Sequence, residues 1–456
     1  MTFQPTRIVI VGGGFGGTYL AQALERKLRG PAVEILLIDQ HNYFIFYPLM
    51  VEAGTGSLEP RHTVVSIRSF LKRTRFRMGR VAAVDQDRRE VVVQPPGVER
   101  RERIGYDHLV LALGSVTRLP DLPGLREHAF EMKQLSDAVA LRDRAIQLLE
   151  LADASDDPEE QRRLLHFVVV GSNFTGTEVA GEFDAFLKAA SRQYNHIDPR
   201  QCRVTLVEIA DRILPALDRD LSRYAREQLQ NRGVDIRLNT SATRIEHDGV
   251  MLDSGERLAA QTVVWCAGIA PNPLLDSMNL PRDERGFVYC EPDMRVEGSD
   301  HIWAIGDNAI NPDPDGTPYP PTAQHAIAQA RDLAANLARV LSNRPTRPAA
   351  IATKGTLAAL GCRTAVARVF GVKLSGFPAW FLWRTVYLFK MPGWARRLRI
   401  ALDWTLGLFF GRDYVQLGIH RVDGSGVVET TGTPRSKGRQ QKTEQRTAME
   451  TEALSR

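Results

Sequence analysis

Twice along this chain a short β-branched run is followed at once by a glycine turn, a helical stretch and a second short strand that ends on an acid. The first copy runs from Arg7 to Val11, through Gly12-Gly13-Gly14-Phe15-Gly16-Gly17, a helical stretch over residues 18–29 and a strand over 33–38, and closes on Asp39. The second runs from Phe167 to Val170, through Gly171-Ser172-Asn173-Phe174-Thr175-Gly176, a helix over 177–190 and a strand over 204–207, and closes on Glu208. Near-continuous apolar strands are those of a parallel sheet covered on both faces. Strand, tight turn and helix in this order make a βαβ unit. A weak repeat of that unit commits the chain to an α/β fold with two Rossmann-like dinucleotide-binding domains.

The glycines carry the chemistry. In G-x-G-x-x-G, here Gly12, Gly14 and Gly17, the first makes the tight turn, the second lets the backbone approach a pyrophosphate, and the third lets helix and strand pack closely. Amides at the helix N-terminus then face the phosphates. Asp39 is placed to bond a ribose hydroxyl. The second copy keeps Gly171 and Gly176 but has Asn173 in the middle, a residue that tolerates left-handed backbone. Glu208 favours a free ribose 2′-hydroxyl and repels a 2′-phosphate, so NADH is expected rather than NADPH. Two fingerprints imply two dinucleotides.

A chain of 456 residues is too long for one core, and its apolar content of 43% is that of a folded protein. The expected division is a discontinuous first domain, 1–120 with 290–350, a second domain over 162–280, a C-terminal region over 354–420, and a disordered polar tail over 433–456. The acidic stretch 153–161 reads as a surface linker. The four cysteines, Cys202, Cys266, Cys290 and Cys362, show no paired spacing; they read as small buried hydrophobes, with neither a disulfide framework nor a metal site. The opening residues lack a signal pattern, and no run reaches the roughly 18 apolar residues that span a bilayer. The expectation is a protein that is cytosolic or lies on a membrane without crossing it. Nothing suggests nucleic acid.

The sequence resembles the type II NADH dehydrogenases, or alternative NADH:quinone oxidoreductases, over nearly its whole length to about Leu417. The likeness rests on Asp39 with Asn42-Tyr43 and Phe46-Tyr47-Pro48-Leu49, on Thr175-Gly-Thr-Glu178 with Ala180-Gly-Glu182, and on Leu206-Val-Glu208 with Arg212-Ile-Leu-Pro215. Trp265-Cys-Ala-Gly268, Gly306-Asp307, Pro320-Pro-Thr-Ala-Gln324 and Lys354-Gly355-Thr-Leu-Ala with Gly361 continue it. The resemblance implies FAD in the N-terminal fold, with Gly306 and Asp307 returning to the flavin, and NADH in the central fold, with Gly268 beside it. It implies a quinone site on the segment Ala323-Gln324-His325-Ala326-Ile327-Ala328-Gln329. It gives Glu178 a proton-handling role, Gln324 a hydrogen bond to a carbonyl ligand, and Lys354 a cation that stabilises reduced flavin. The family pattern often has a second Gln where this chain has Ala328. That departure leaves room for an NADH-dependent reductase of a soluble acceptor, and a non-catalytic redox sensor is a further alternative. Disulfide reductases of similar fold need a redox-active Cys pair soon after the first βαβ unit; no cysteine precedes Cys202.

Four of the six tryptophans, Trp380, Trp383, Trp394 and Trp404, crowd one stretch. From Arg363 to Arg412 its only acid is Asp403. Two short apolar helices between Ala379 and Phe410, broken at Pro392-Gly393 and flanked by basic residues, are what an in-plane anchor on anionic lipid requires. The alternative is that they pack on the protein's own core or make a homodimer interface. The expected place is the cytoplasmic face of the cell membrane, with no proton pumping.

Overall fold

The computed structural model describes residues 5–416, Gly418 and the strands Val422–Asp423 and Gly426–Val427; the tail expected over 433–456 lies outside the described residues. Those two strands pair antiparallel within a separate unit, Leu417–Arg456. Residues 5–416 belong to the compact unit Met1–Gln416.

The chain opens with β1 (Thr6–Val11), α1 (Phe15–Lys27), β2 (Val33–Asp39), the short α2 (Met50–Gly54), β3 (Arg75–Met78) and β4 (His108–Leu111). It continues through β5 (Ala129–Phe130), β6 (His166–Val170), α3 (Phe174–Ala190), β7 (Arg203–Val207), β8 (Asp235–Arg237) and β9 (Thr262–Trp265). Then β10 (Ile302–Ala304) returns to the first sheet, and α4 (Ala323–Val340) follows. The first sheet has the parallel order β10-β4-β1-β2-β3, and the second the parallel order β5-β9-β6-β7-β8. The repeat is thus a repeat of topology. In each sheet the strand before the glycine turn is central, and its last four residues are apolar and buried, as in a strand covered on both faces.

Both glycine-turn helices begin three residues before the expected Thr18 and Thr177, because the last residues of each fingerprint form the helix's own first turn. The stretch 153–161 is not a loose linker. A helix ends at Asp153, and another, Pro158–Leu164, starts where the Asp157 side chain accepts the Glu159 amide at 2.9 Å. An Asp cap, a proline at the first helical position and acids in the first turn are helix-start signals.

The C-terminal region adds an antiparallel sheet, β11 (Gly355–Gly361), β12 (Thr364–Val369) and β13 (Val372–Ser375), then α5 (Gly376–Lys390) and α6 (Trp394–Phe409). β11 lies against α3 at backbone contact: a Cβ on Gly181 would stand 2.2 Å from the Leu360 carbonyl oxygen. One face of α5 and α6 is packed inward through Ala379, Trp380, Trp383, Ile400 and Trp404. The opposite face leaves Phe377, Phe381, Phe389, Trp394, Leu402, Leu406 and Phe409 exposed. Of the four clustered tryptophans only Trp394, 74% exposed, faces outward; the others are core. Among the described residues no helix is long and apolar enough to cross a membrane.

Candidate active site

In parallel sheets of this kind, ligands meet the carboxyl ends of the strands. Gly12 follows β1, Asp39 ends β2, Ser115 lies just past β4, and Gly306 and Asp307 follow β10, so all gather at one edge of the first sheet. Gly12 has φ +106°, and a Cβ there would stand 2.2 Å from the Ala112 carbonyl oxygen; one on Gly17 would stand 1.9 Å from that of Gly12. Beside Gly14 no protein atom lies within 4 Å of where a Cβ would be. Gly14 caps α1 without a side-chain partner, so the first-turn amides remain open to an anion. The Asp39 carboxylate accepts the Gly13 amide at 2.6 Å and the His41 amide at 2.7 Å. Burial pushes this carboxyl up, and those two hydrogen bonds oppose the shift. Open space, free amides and an oriented acid fit a dinucleotide pyrophosphate and its ribose.

Asp307 accepts a hydrogen bond from the Ser115 hydroxyl at 3.2 Å, and Lys133 donates to that hydroxyl at 3.1 Å. Burial pushes Asp307 up and Lys133 down, and each partly restores the other. Lys133 and Ser115 escape a motif search because neither belongs to a glycine turn.

The second edge repeats the first atom by atom. The Glu208 carboxylate accepts the Ser172 amide at 2.7 Å and the Ala210 amide at 2.8 Å, the positions that Gly13 and His41 occupy around Asp39. A Cβ on Gly171, φ +97°, would stand 2.7 Å from the Ala267 Cα, and one on Gly176 1.8 Å from the Gly171 carbonyl oxygen. Gly268, φ +85°, accepts the Arg118 amide at 3.2 Å. Asn173 corrects the expectation. Its backbone is extended, φ −63° and ψ −174°, so left-handed tolerance is not what it contributes. Its side chain caps α3, accepting the Gly176 amide at 3.0 Å and donating to the Cys266 carbonyl at 2.8 Å. One first-turn amide is therefore already engaged in this cradle, whereas the first cradle's are open.

Glu178 sits in the first turns of α3 and accepts the Ala359 amide of β11 at 3.1 Å. Burial pushes its carboxyl from about 4.5 to about 8, against that hydrogen bond and with help from the negative charges of Glu182 and Glu52. A carboxylic acid held neutral at physiological pH can donate a proton. On α5 the Lys390 ammonium lies 5.8 Å from the Tyr387 ring centre, and burial, with the Lys354 charge adding to it, pushes Lys390 down. Gln324 lies in the first turn of α4, next to His325, which bridges Thr322 at 2.7 Å and Thr353 at 3.1 Å. Gln329 does not replace the glutamine missing at Ala328: its amide oxygen accepts the Gly306 amide at 2.8 Å.

Cys202, Cys266 and Cys290 are buried, but Cys362 is exposed, against expectation, since it lies in the turn between β11 and β12. Among the described residues no group of His, Cys, Asp or Glu could hold a metal ion. Motif reasoning also missed Glu52, in an otherwise apolar run from Phe46 to Gly54. It is 5% exposed, and the Trp404 indole nitrogen donates to it at 2.8 Å. The available signal was that lone acid between apolar neighbours.

Residues 6–330 match the pyridine nucleotide-disulphide oxidoreductase family, and residues 353–413 match the NDH2 C-terminal domain. The chain is 30% identical to the type II NADH:quinone oxidoreductase NdhA of Mycobacterium tuberculosis, over 91% of this chain and 89% of that one. It is 31% identical to the demethylphylloquinone reductase NdbB of Synechocystis, over 89% of this chain and 96% of that one. The fold matches NDH2 from Plasmodium falciparum with a TM-score of 0.83 at 20% identity, covering 90% of this chain and all of that one. The chain therefore belongs to the pyridine nucleotide-disulphide oxidoreductases and, within them, to the type II NADH:quinone oxidoreductases.

Proposed function

We infer that this chain oxidises NADH and reduces a quinone, with FAD as the carrier between them and without pumping protons. The observation that carries this is the pair of phosphate cradles in one chain of this family, at the carboxyl edges of two parallel sheets. Bound FAD supplies hydride acceptance from NADH and electron delivery to the quinone. In this reading 1–120 with 290–350 hold FAD and 162–280 hold NADH, the second sheet also borrowing Ala129–Phe130. Gly12, Gly14 and Gly17 shape the turn that brings the first-turn amides of α1 to the FAD pyrophosphate, Asp39 takes a ribose hydroxyl, and Gly306 with Asp307 approach the flavin end. Gly171, Gly176, Glu208 and Gly268 hold NADH, and the Glu208 charge repels a 2′-phosphate. Glu178 holds the proton that the quinone takes up, Gln324 donates to a quinone carbonyl, and Lys354 adds positive charge. Purified, FAD-loaded protein is expected to oxidise NADH slowly, and at least about tenfold faster once a soluble quinone is added. No increase would leave a soluble acceptor as the better reading.

The exposed apolar face of α5 and α6 is read as a seat on anionic lipid, at the cytoplasmic face where NADH is available. Phe409 and Phe410, 79% and 68% exposed, lie at its end, and Arg396, Arg397 and Arg399 flank it. Each basic group near such a surface contributes about 1 kcal/mol, screened by salt. Flotation with phosphatidylserine-containing vesicles should weaken at high salt and fail in a W394S/F409S/F410S variant. Protein that ignores vesicles but dimerises through this face would replace lipid by a second copy.

A further inference from the structure

Glu52 plays no part in either cradle, yet it is among the most elaborately held charges in the molecule. It is carried by α2, which packs on the helix Leu135–Asp153 and on α3. Trp404 of α6 donates its indole N–H to one carboxyl oxygen at 2.8 Å, and the Arg384 guanidinium of α5 lies 3.7 Å from the other. That guanidinium is sandwiched between two indoles, 4.4 Å from the ring centres of both Trp380 and Trp404. The sandwich fixes Arg384 in place and keeps water from screening it.

Two further carboxyls stand on α3. Glu178 and Glu182 are one helical turn apart and share a face. The Arg412 guanidinium lies 3.5 Å from Glu182 and also donates to the Thr55 carbonyl at 3.3 Å, one turn past Glu52. Arg384 faces Glu182 as well as Glu52. The charges acting on Glu52 are Arg384, Glu182 and Arg412; the helix Leu135–Asp153 adds Arg142 near Gly56, its guanidinium donating to the Asp413 carbonyl at 2.6 Å; those that raise Glu178 are Glu182 and Glu52. Glu52 and Glu182 are buried and Glu178 is half-buried, so the negative charge of one carboxyl is felt by the next. Glu52 and Glu178, coupled this way, titrate together.

We propose that Glu52 is a positioning residue for quinone reduction: with Glu182 it extends Glu178 into a row of carboxyls whose negative charge keeps the proton on Glu178, and Trp404 and Arg384 of the C-terminal helices set its grip. The proton that leaves Glu178 for the quinone oxygen is made good by redistribution within the row and then from solvent; no electrons move in this step. Burial raises Glu52 to about 7 and Glu178 to about 8, so near neutral pH Glu178 holds its proton while Glu52 is partly ionised. The helices that meet the exposed apolar face are the ones that hold Glu52, so their seating reaches Glu178 through charge.

This inference rests on the quinone reading only for its last step, and two measurements separate them. First, anaerobic reduction of the oxidised holoenzyme by NADH is followed with a pH indicator. The wild type should take up a fraction of a proton per flavin between pH 7 and 8, as negative charge appears near the row, and E52Q should take up clearly less. Second, reoxidation of the reduced holoenzyme by a soluble quinone is followed against pH. Removing the Glu52 charge lowers the proton affinity of Glu178, so the midpoint of the high-pH decline should move down by on the order of one pH unit in E52Q. E182Q should move it the same way, and decides the matter if E52Q fails to retain FAD. Unchanged proton uptake together with an unmoved midpoint overturns the proposal. A wild type that quinone cannot reoxidise at any pH removes the acceptor reading, and the row is then judged by proton uptake alone.

Discussion

Protein carrying Gly17→Ala is expected to be purified nearly colourless. The added methyl would stand 1.9 Å from the Gly12 carbonyl oxygen and 3.2 Å from the Ile10 side chain, and the first of these atoms is backbone that cannot swing away. Relief requires α1 to move off β1, which carries the open first-turn amides away from the phosphates they would meet. Overpacking of this kind costs about 1–3 kcal/mol. If it falls on the bound form, FAD affinity drops by about 10- to 100-fold. The absorbance ratio of flavin to protein after gel filtration measures it directly. Gly14→Ala is the contrast, since no protein atom lies within 4 Å of its Cβ. The fold should survive there, and any loss of flavin reports the ligand's own approach. Equal retention of flavin in G17A and wild type would mean that this loop is only a tight turn.

Glu178→Gln should leave a protein that still accepts electrons from NADH but returns them to quinone on the order of 10²-fold more slowly, the usual share of a general acid. Glutamine keeps the shape and can accept the Ala359 amide, but it has no proton to give. In the wild type the quinone-driven step should decline as pH rises through about 8, where Glu178 ionises. That limb should be absent in E178Q. The stability sign follows from the same raised value. Between about 4.5 and about 8 the folded state binds more protons than the unfolded chain, so wild-type stability falls as pH rises through that window and levels off above it. E178Q lacks this loss, and its melting temperature should exceed that of the wild type more at pH 9 than at pH 5. An unaltered quinone rate in E178Q would reduce this residue to a ligand for the β11 amide.

Local chemistry was legible and long-range chemistry was not. The spacing of Gly12 and Gly17, and of Gly171 and Gly176, translates directly into approaches under 3 Å that only a missing side chain permits. Asp39 and Glu208 were readable because each ends a strand whose period and length are written in consecutive residues. Helix starts were displaced because glycines in a first turn look like loop, and the acidic stretch 153–161 concealed a capped helix. Asn173 was seen as a tolerant substitute, whereas its amide is a cap that only the fold reveals. Composition marked the aromatic C-terminal segment, but helix phase decided that Trp380, Trp383 and Trp404 face inward and Trp394 outward. The lone acid at Glu52 is visible in the sequence, but its partner Trp404 is 352 residues away, and no motif spans such a distance. Arg412 and Glu182, 230 residues apart, were hidden for the same reason.

The most direct test of the central claim, two cradles that bring a reductant to a flavin, is the visible spectrum of the purified holoenzyme under anaerobic conditions. The account predicts a flavin band that NADH bleaches and that a soluble quinone then restores. A band that NADH leaves unchanged, in protein proven to contain FAD, would contradict it.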